Sequence, residues 1–228
     1  TTVGYGQTLK IDGWSVVNNR VILGETKING ITTPIDTTYP SSNSTLKDKD
    51  IVTSSINMNS QVVSGSESNN GSGNSIRMES TLQSTNGYSV IRGPYIYNDK
   101  NVSLTAGDEV SFYWKAKGGS DAYDVFGYIV NVKNPSQYQI ILNETGISAS
   151  AATLWAKNSV TVAADGEYMF VFVSGSYDFT GGKALGAQLY IDDVTVKQNS
   201  PDVTSTVAQK LALLLTYQHQ LPSVDLLW

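Results

Sequence analysis

Two stretches of this 228-residue chain combine carboxylates, aromatics and glycines in a way that could hold a cation: GGSDAYDVFGY (118–128) and SGSYDFTGGKALG (174–186). In the first, Asp121 and Asp124 flank Tyr123 behind Gly118 and Gly119. In the second, Asp178 follows Tyr177 and precedes Gly181 and Gly182. Calcium takes about six to eight oxygens, commonly mixing carboxylates with backbone carbonyls, and glycine loops can aim several carbonyls at one point. The same residues also read as plain Asp/Gly turns whose tyrosines pack on a sandwich edge. Two such loops in one chain favour a composite site built from Asp121, Asp124 and Asp178. A third acidic group, Asp192-Asp193, lies in GAQLYIDDVTV (186–196). Neighbours on a strand point to opposite faces, so one of the two carboxylates faces inward, which is costly without a cation or hydrogen bonds. A structural calcium shared with Asp12, Glu25 or Asp36 would satisfy it and pin the last strand to the N-terminal region. A frayed edge is the competing reading.

Other chemistries find little to work with. His219 is the single histidine, there is no cysteine, and no Gly-x-Ser-x-Gly turn occurs. A Ser-His-Asp triad, a zinc centre and a cysteine nucleophile therefore lack their parts. Glycoside hydrolysis needs only two spaced carboxylates, and Asp121, Asp124 and Asp178 are available. Nothing in the sequence sets one of them among apolar groups to raise its pKa while another stays ionised. Binding, not catalysis, is expected. The net charge is -5, and the 15 basic residues form no stripe, so no nucleic-acid partner is expected. No apolar run is long enough to span a membrane. Of the 20 acids, 14 are Asp, which suits both turns and hard-cation ligation. An extracellular domain without disulfides needs another staple, and bound calcium is one.

The elements that must position these groups are β-strands. WSVVNNRVIL (14–23) reads as a strand turned at Asn18-Asn19. IRMESTL (76–82), YSVIRGPYIY (88–97), EVSFYWKA (109–116), VFGYIVNV (125–132), YQIIL (138–142), TLWAKNSVTV (153–162), EYMFVFVS (167–174) and residues 186–196 follow, separated by turn signals. In 109–116, Val110, Phe112, Trp114 and Ala116 share one face while Ser111, Tyr113 and Lys115 take the other. About nine short strands with no amphipathic helix among them predict an all-β, jelly-roll-like β-sandwich with long loops. SGSESNNGSGN (64–74) is too polar to pack and reads as an exposed loop within one domain. Residues 1–200 are expected to form that sandwich. Residues 201–228 read as a C-terminal tail or the stub of a following domain. Within it, 204–220 gains helix formers, with Val207, Leu211, Leu214 and Leu215 on one face. The chain reads as a module of something longer.

The segments GWSVVNNRVILG, INGITTPIDTTYP, RGPYI, AGDEVSFYWKAKGGSDAYDVFGYIVN, LNETG and FVFVSGSYDFTGGKALGAQLYIDDVTV together resemble the ligand-binding, peptide-binding module of large repeats-in-toxin bacterial adhesins. The resemblance spans roughly residues 12–197 and implies a calcium-dependent β-sandwich on the surface of a Gram-negative bacterium. It further implies capture of a short peptide through its free C-terminal carboxylate, in the service of cell adhesion and biofilm formation. On that reading Asp121, Asp124 and Asp178 hold calcium with a coordination position open, and Tyr123 and Tyr177 supply contact area. Gly181 and Gly182 admit the ligand, and Lys183 attracts its carboxylate. Phe126 and Phe179 depart from the family pattern, where a tyrosine and a small residue are expected. A lectin-like module is the alternative, because calcium also binds vicinal sugar hydroxyls while an aromatic ring stacks on the sugar.

Overall fold

The computed structural model describes residues 6–35, 58–64, 67–80, 90–147, 151–180 and 186–199. The chain opens with β1 (Thr8–Lys10), β2 (Trp14–Val17), β3 (Lys27–Ile28) and β4 (Ile31–Thr32). Next come β5 (Met58–Ser64), β6 (Asn74–Ser80), β7 (Val90–Asn98), β8 (Val102–Leu104) and β9 (Glu109–Lys117). The remainder is β10 (Ala122–Asn131), β11 (Tyr138–Gly146), β12 (Ala156–Thr161), β13 (Gly166–Tyr177) and β14 (Ala187–Lys197). One sheet runs β12-β9-β14-β6-β5, with β1 also on β14. The other runs β11-β10-β13-β7-β2, with β8 also on β13. All these pairings are antiparallel. The all-β sandwich expected from the strand rhythm is what the chain forms. Asp36, Gly181, Gly182, Lys183 and the tail 201–228 lie outside the described residues.

The alternation in β9 is realised: Val110, Phe112, Trp114 and Ala116 enter the core between the sheets. They meet Val125 and Ile129 of β10, Phe170 and Phe172 of β13, and Leu189 and Ile191 of β14. Phe112 and Phe172 join edge-to-face across the layers at 4.9 Å, a geometry that adds about 0.5–1.5 kcal/mol to their burial.

A second core was not expected. Strands β10 and β13 lack the polar face of a half-solvated antiparallel sheet, and β10 is buried at every residue. On the outer face of their sheet, Phe126, Tyr128, Val130, Met169, Val171 and Val173 pack under Val21 and Ile28, with Leu23 and Ile31 alongside. Segment 18–35, carrying the small β3-β4 hairpin, is therefore a cover and not a loop. The first part of the chain also laces the layers together, because β1 joins one sheet and β2 the other. The ladder closes end to end: Gly6 N donates to Gln198 O at 2.7 Å, and Gln198 N donates to Gln7 O at 3.1 Å.

Five strands escaped the sequence reading: β1, β3, β4, β5 and β8. Four of them have two or three residues, too few for a period to show. The fifth, β5, is longer but begins MNSQ, and Asn59 and Gln61 sit on the outer face of an edge strand, where polar side chains are at home.

Candidate functional site

Antiparallel register brings the two acidic glycine turns together. Strand β10 begins where β13 ends, with Ala122 opposite Tyr177 and Tyr123 opposite Ser176. Lys117, at the end of β9, lies opposite Gln188, near the start of β14. The connection 118–121 and the turn 178–180 thus lie at the same end of the sandwich, where Gly186 leads into β14. Their contact is direct. The Asp121 carboxylate accepts the Thr180 backbone N–H at 2.8 Å and the Thr180 hydroxyl at 2.9 Å through one oxygen. A side chain on Gly186 would lie 3.6 Å from the Gly119 Cα.

The carboxylates expected to face a ligand are mostly used inside the protein. Asp124 stands within β10 and is only 1% exposed. Its Oδ1 takes the Arg92 guanidinium from Nε and Nη2, both at 3.0 Å, and its Oδ2 accepts the Thr145 hydroxyl at 2.9 Å. Arg92 comes from β7 and is as deeply buried. Gly175, opposite Arg92 on β13, leaves the space: a Cβ there would collide with the Asp124 carbonyl oxygen. Asp178 is fully buried at the exit of β13. Among the described residues, no three His, Asp or Glu side chains gather at one point as a metal would need. Asp121 and Asp124 as they stand form a hydrogen-bonded joint between strands and turns, with an arginine in it.

The tyrosines also differ from expectation, and the reason is strand alternation. Tyr123 points between the sheets into the main core, and its ring occupies the space where Gly146 of β11 has no side chain. Burial, with the charge of Glu144 adding to it, raises its hydroxyl pKa. Tyr177 is buried against Val90 and Ala122. Neither offers a surface to a ligand. The exposed ring at this end is Phe179, 51% exposed and braced edge-on by Tyr177 at 5.9 Å. The Asp121–Thr180 bonds fix the turn that carries it.

Asp192 and Asp193 lie elsewhere, on a β-bulge of β14 between its pairing with β6 and its pairing with β1. The strand is tied to the N-terminal region by β1 and by the side chains that follow. Asp193 adopts φ 47°, which breaks the simple alternation, and its carboxylate meets the Lys10 ammonium at 2.9 Å. Asp192 accepts the Asn69 N–H at 2.8 Å and the Asp193 N–H at 2.7 Å. These bonds supply what an inward carboxylate needs. Asp12 lines a cleft together with Asp192 and Asp193, whereas Glu25 sits in the turn following Ile22.

Arg92, Thr145 and Thr180 were missed in the sequence. Arg92 left a trace, since an arginine set in VIRGPYIY is a charge inside an apolar run and so needs a buried partner. Thr145 and Thr180 gave no comparable sign.

No family model matches the chain, and no curated protein matches it either. Solved structures with similar folds include the N-terminal endo-1,4-β-D-xylanase of Clostridium thermocellum, a carbohydrate-binding module and a hydrolase module complexed with xylohexaose. That likeness has 15% identity and a TM-score of 0.35, over 66% of this chain and 26% of the xylanase chain, so it spans about a quarter of that enzyme. The N-terminal cellulose-binding domain of Cellulomonas fimi β-1,4-glucanase C aligns at 13% identity and TM-score 0.32, over 58% of this chain and 83% of its own. The xylan-binding domain of a Paenibacillus barcinonensis xylanase aligns at 13% and 0.34, over 65% and 89%.

Proposed function

We propose that the chain is a non-catalytic binding module whose recognition end is the meeting place of the 118–121 and 178–180 turns, and that it takes a glycan there. The observation that carries this reading is Phe179. It is a half-exposed aromatic ring held in place by Tyr177 and by the Asp121–Thr180 bonds, beside a polar loop. A ring fixed before the ligand arrives costs little entropy on binding and stacks on the apolar face of a pyranose, while neighbouring polar groups take the hydroxyls. The acids at this end support binding over hydrolysis. Asp124 is neutralised by Arg92 and Asp178 is buried, so among the described residues these acids offer no exposed carboxylate pair to flank a scissile bond.

A second reading is a carboxylate-terminated peptide held with calcium, on the surface of a bacterial cell. The joining of the two acidic turns at one end favours it, as does the resemblance of residues 12–197 to adhesin modules. One experiment separates the two: the intact chain is applied to a glycan array and to a library of peptides with free or amidated C-termini, each in calcium and in EGTA. Retained glycan spots lost in Phe179→Ala support the glycan reading. Binding confined to free-acid peptides in calcium supports the second and overturns the first.

A further inference from the structure

The sandwich is not closed along its whole length. Val16 of β2 lies opposite Ile96, a core residue, and Val62 of β5 lies opposite Ile76, which packs on that core. Directly opposed residues share a face, so both valines point between the sheets. Yet Val16 is 38% and Val62 61% exposed. Inward-facing aliphatic side chains in contact with water mean that the described residues leave the seam between the edge strands β2 and β5 unfilled. A cleft of about 370 Å³ occupies it. Trp14, Ile76 and Ile191 contribute apolar wall, and Asp12, Asp192 and Asp193 stand against Lys10 at the acidic side. Lys10 is already paired with Asp193. Asp12 is exposed and has no hydrogen-bond or salt-bridge partner among the described residues. Beside the cleft, β5 pairs with β6 on one side and has no neighbour on the other among the described strands.

We propose that this seam is a second binding groove, which takes an extended peptide segment laid along the edge of β5, with an aliphatic and a basic side chain two residues apart so that both face the seam. The free edge of a strand offers backbone N–H and C=O groups at every second residue, which an added strand can satisfy. An aliphatic side chain of the added strand would cover Val16 and Val62, removing the exposure that marks the seam. Its basic side chain would meet Asp12, and the excess of carboxylates over ammonium in the lining sets the sign of the guest. The groove is separate from the loop end: Val194 lies seven residues along β14 from Ala187, roughly 20 Å at strand spacing.

The test uses the full chain and a fluorescein-labelled, C-terminally amidated peptide Thr-Val-Thr-Arg-Thr, whose valine and arginine share one face, followed by anisotropy and by tryptophan emission. The amidated end cannot supply a terminal carboxylate, so failure here and failure at the loop end are distinguishable. Saturable binding is expected, with an emission change that is lost in Trp14→Phe. Citrulline in place of arginine, or Asp12→Asn, should weaken it by about tenfold at low salt, the scale of one charge-assisted contact. Val62→Lys places a tolerated edge-strand cation in the groove and should abolish binding with Tm unchanged, while Phe179→Ala should leave binding intact. An absence of saturation up to about 1 mM, the regime of contacts too weak to be specific, would overturn the proposal. So would Val62→Lys binding as well as the native chain. Sedimentation showing a dimer that Val62→Lys dissolves would make a second copy the occupant and equally overturn it.

Discussion

Replacing Asp124 by asparagine tests whether this carboxylate is structural or a ligand to a cation. The substitution keeps shape and leaves an acceptor for the Thr145 hydroxyl, but it removes the charge facing Arg92 Nε and Nη2 at 3.0 Å. Both partners are 1% exposed, so water cannot replace what is lost. Breaking one side of such a buried pair costs about 3–5 kcal/mol. For a chain of this size each kcal/mol lowers Tm by about 2–4 °C, which places the expected drop at about 6–20 °C. Urea denaturation and calorimetry measure it, each run in calcium and in EGTA. A structural pair loses the same amount in both media, whereas a calcium ligand loses stability only where calcium is present. A double variant, Arg92→Met with Asp124→Leu, removes both charges and should be milder than Asp124→Asn alone, since no charge is left buried. A loss below about 1 kcal/mol in EGTA, the scale of an exposed pair, would refute the reasoning.

Asp121→Ala removes the acceptor of two Thr180 bonds and should cost about 1–3 kcal/mol, read by urea denaturation. If the Phe179 turn depends on those bonds, ligand affinity falls further than stability alone explains. The Lys10–Asp193 pair should show its contribution against pH. Its lysine pKa is raised above 10.5, first by the Asp193 bond. The stabilisation is therefore complete below that value and disappears as pH rises through the raised one. Because the pair is largely exposed it amounts to less than about 1 kcal/mol. The stability difference between the native chain and Lys10→Met should accordingly be present at pH 8 and gone at strongly alkaline pH, with thermal melts across that range as the measurement.

The sandwich was legible because strands such as 109–116 alternate cleanly, and because Asp/Gly turns separate the apolar runs. The covered outer face of the second sheet was present in the continuous apolar runs of VFGYIVNV and EYMFVFVS. Periodicity cannot tell whether such a run is buried by a second sheet or by a loop folded back over it. At the loop end, the meeting of Asp121 with the 178–180 turn followed from the sequence. The roles of the acids did not. Asp124 reads as loop chemistry until its register opposite a buried arginine is known, and that register is set by a pairing between β7, β10 and β13 far apart in the chain. Tyr123 and Tyr177 looked like contact residues because each adjoins an acid. Their facing depends on where the strand begins, and a shift of one residue exchanges inside for outside.

The closure of β1 against β14 governs how the domain would respond to force. Gly6 and Gln198 are adjacent, and the strands leaving them run antiparallel. Tension drawn between these two points opens the ladder from its end, loading one backbone bond after another instead of all at once. The first strand would peel before the rest of its sheet yields, and in doing so it would draw Lys10 and Ile11 away from the bulge at Asp193. Such tension would thus reshape the seam well before the Phe179 end is disturbed.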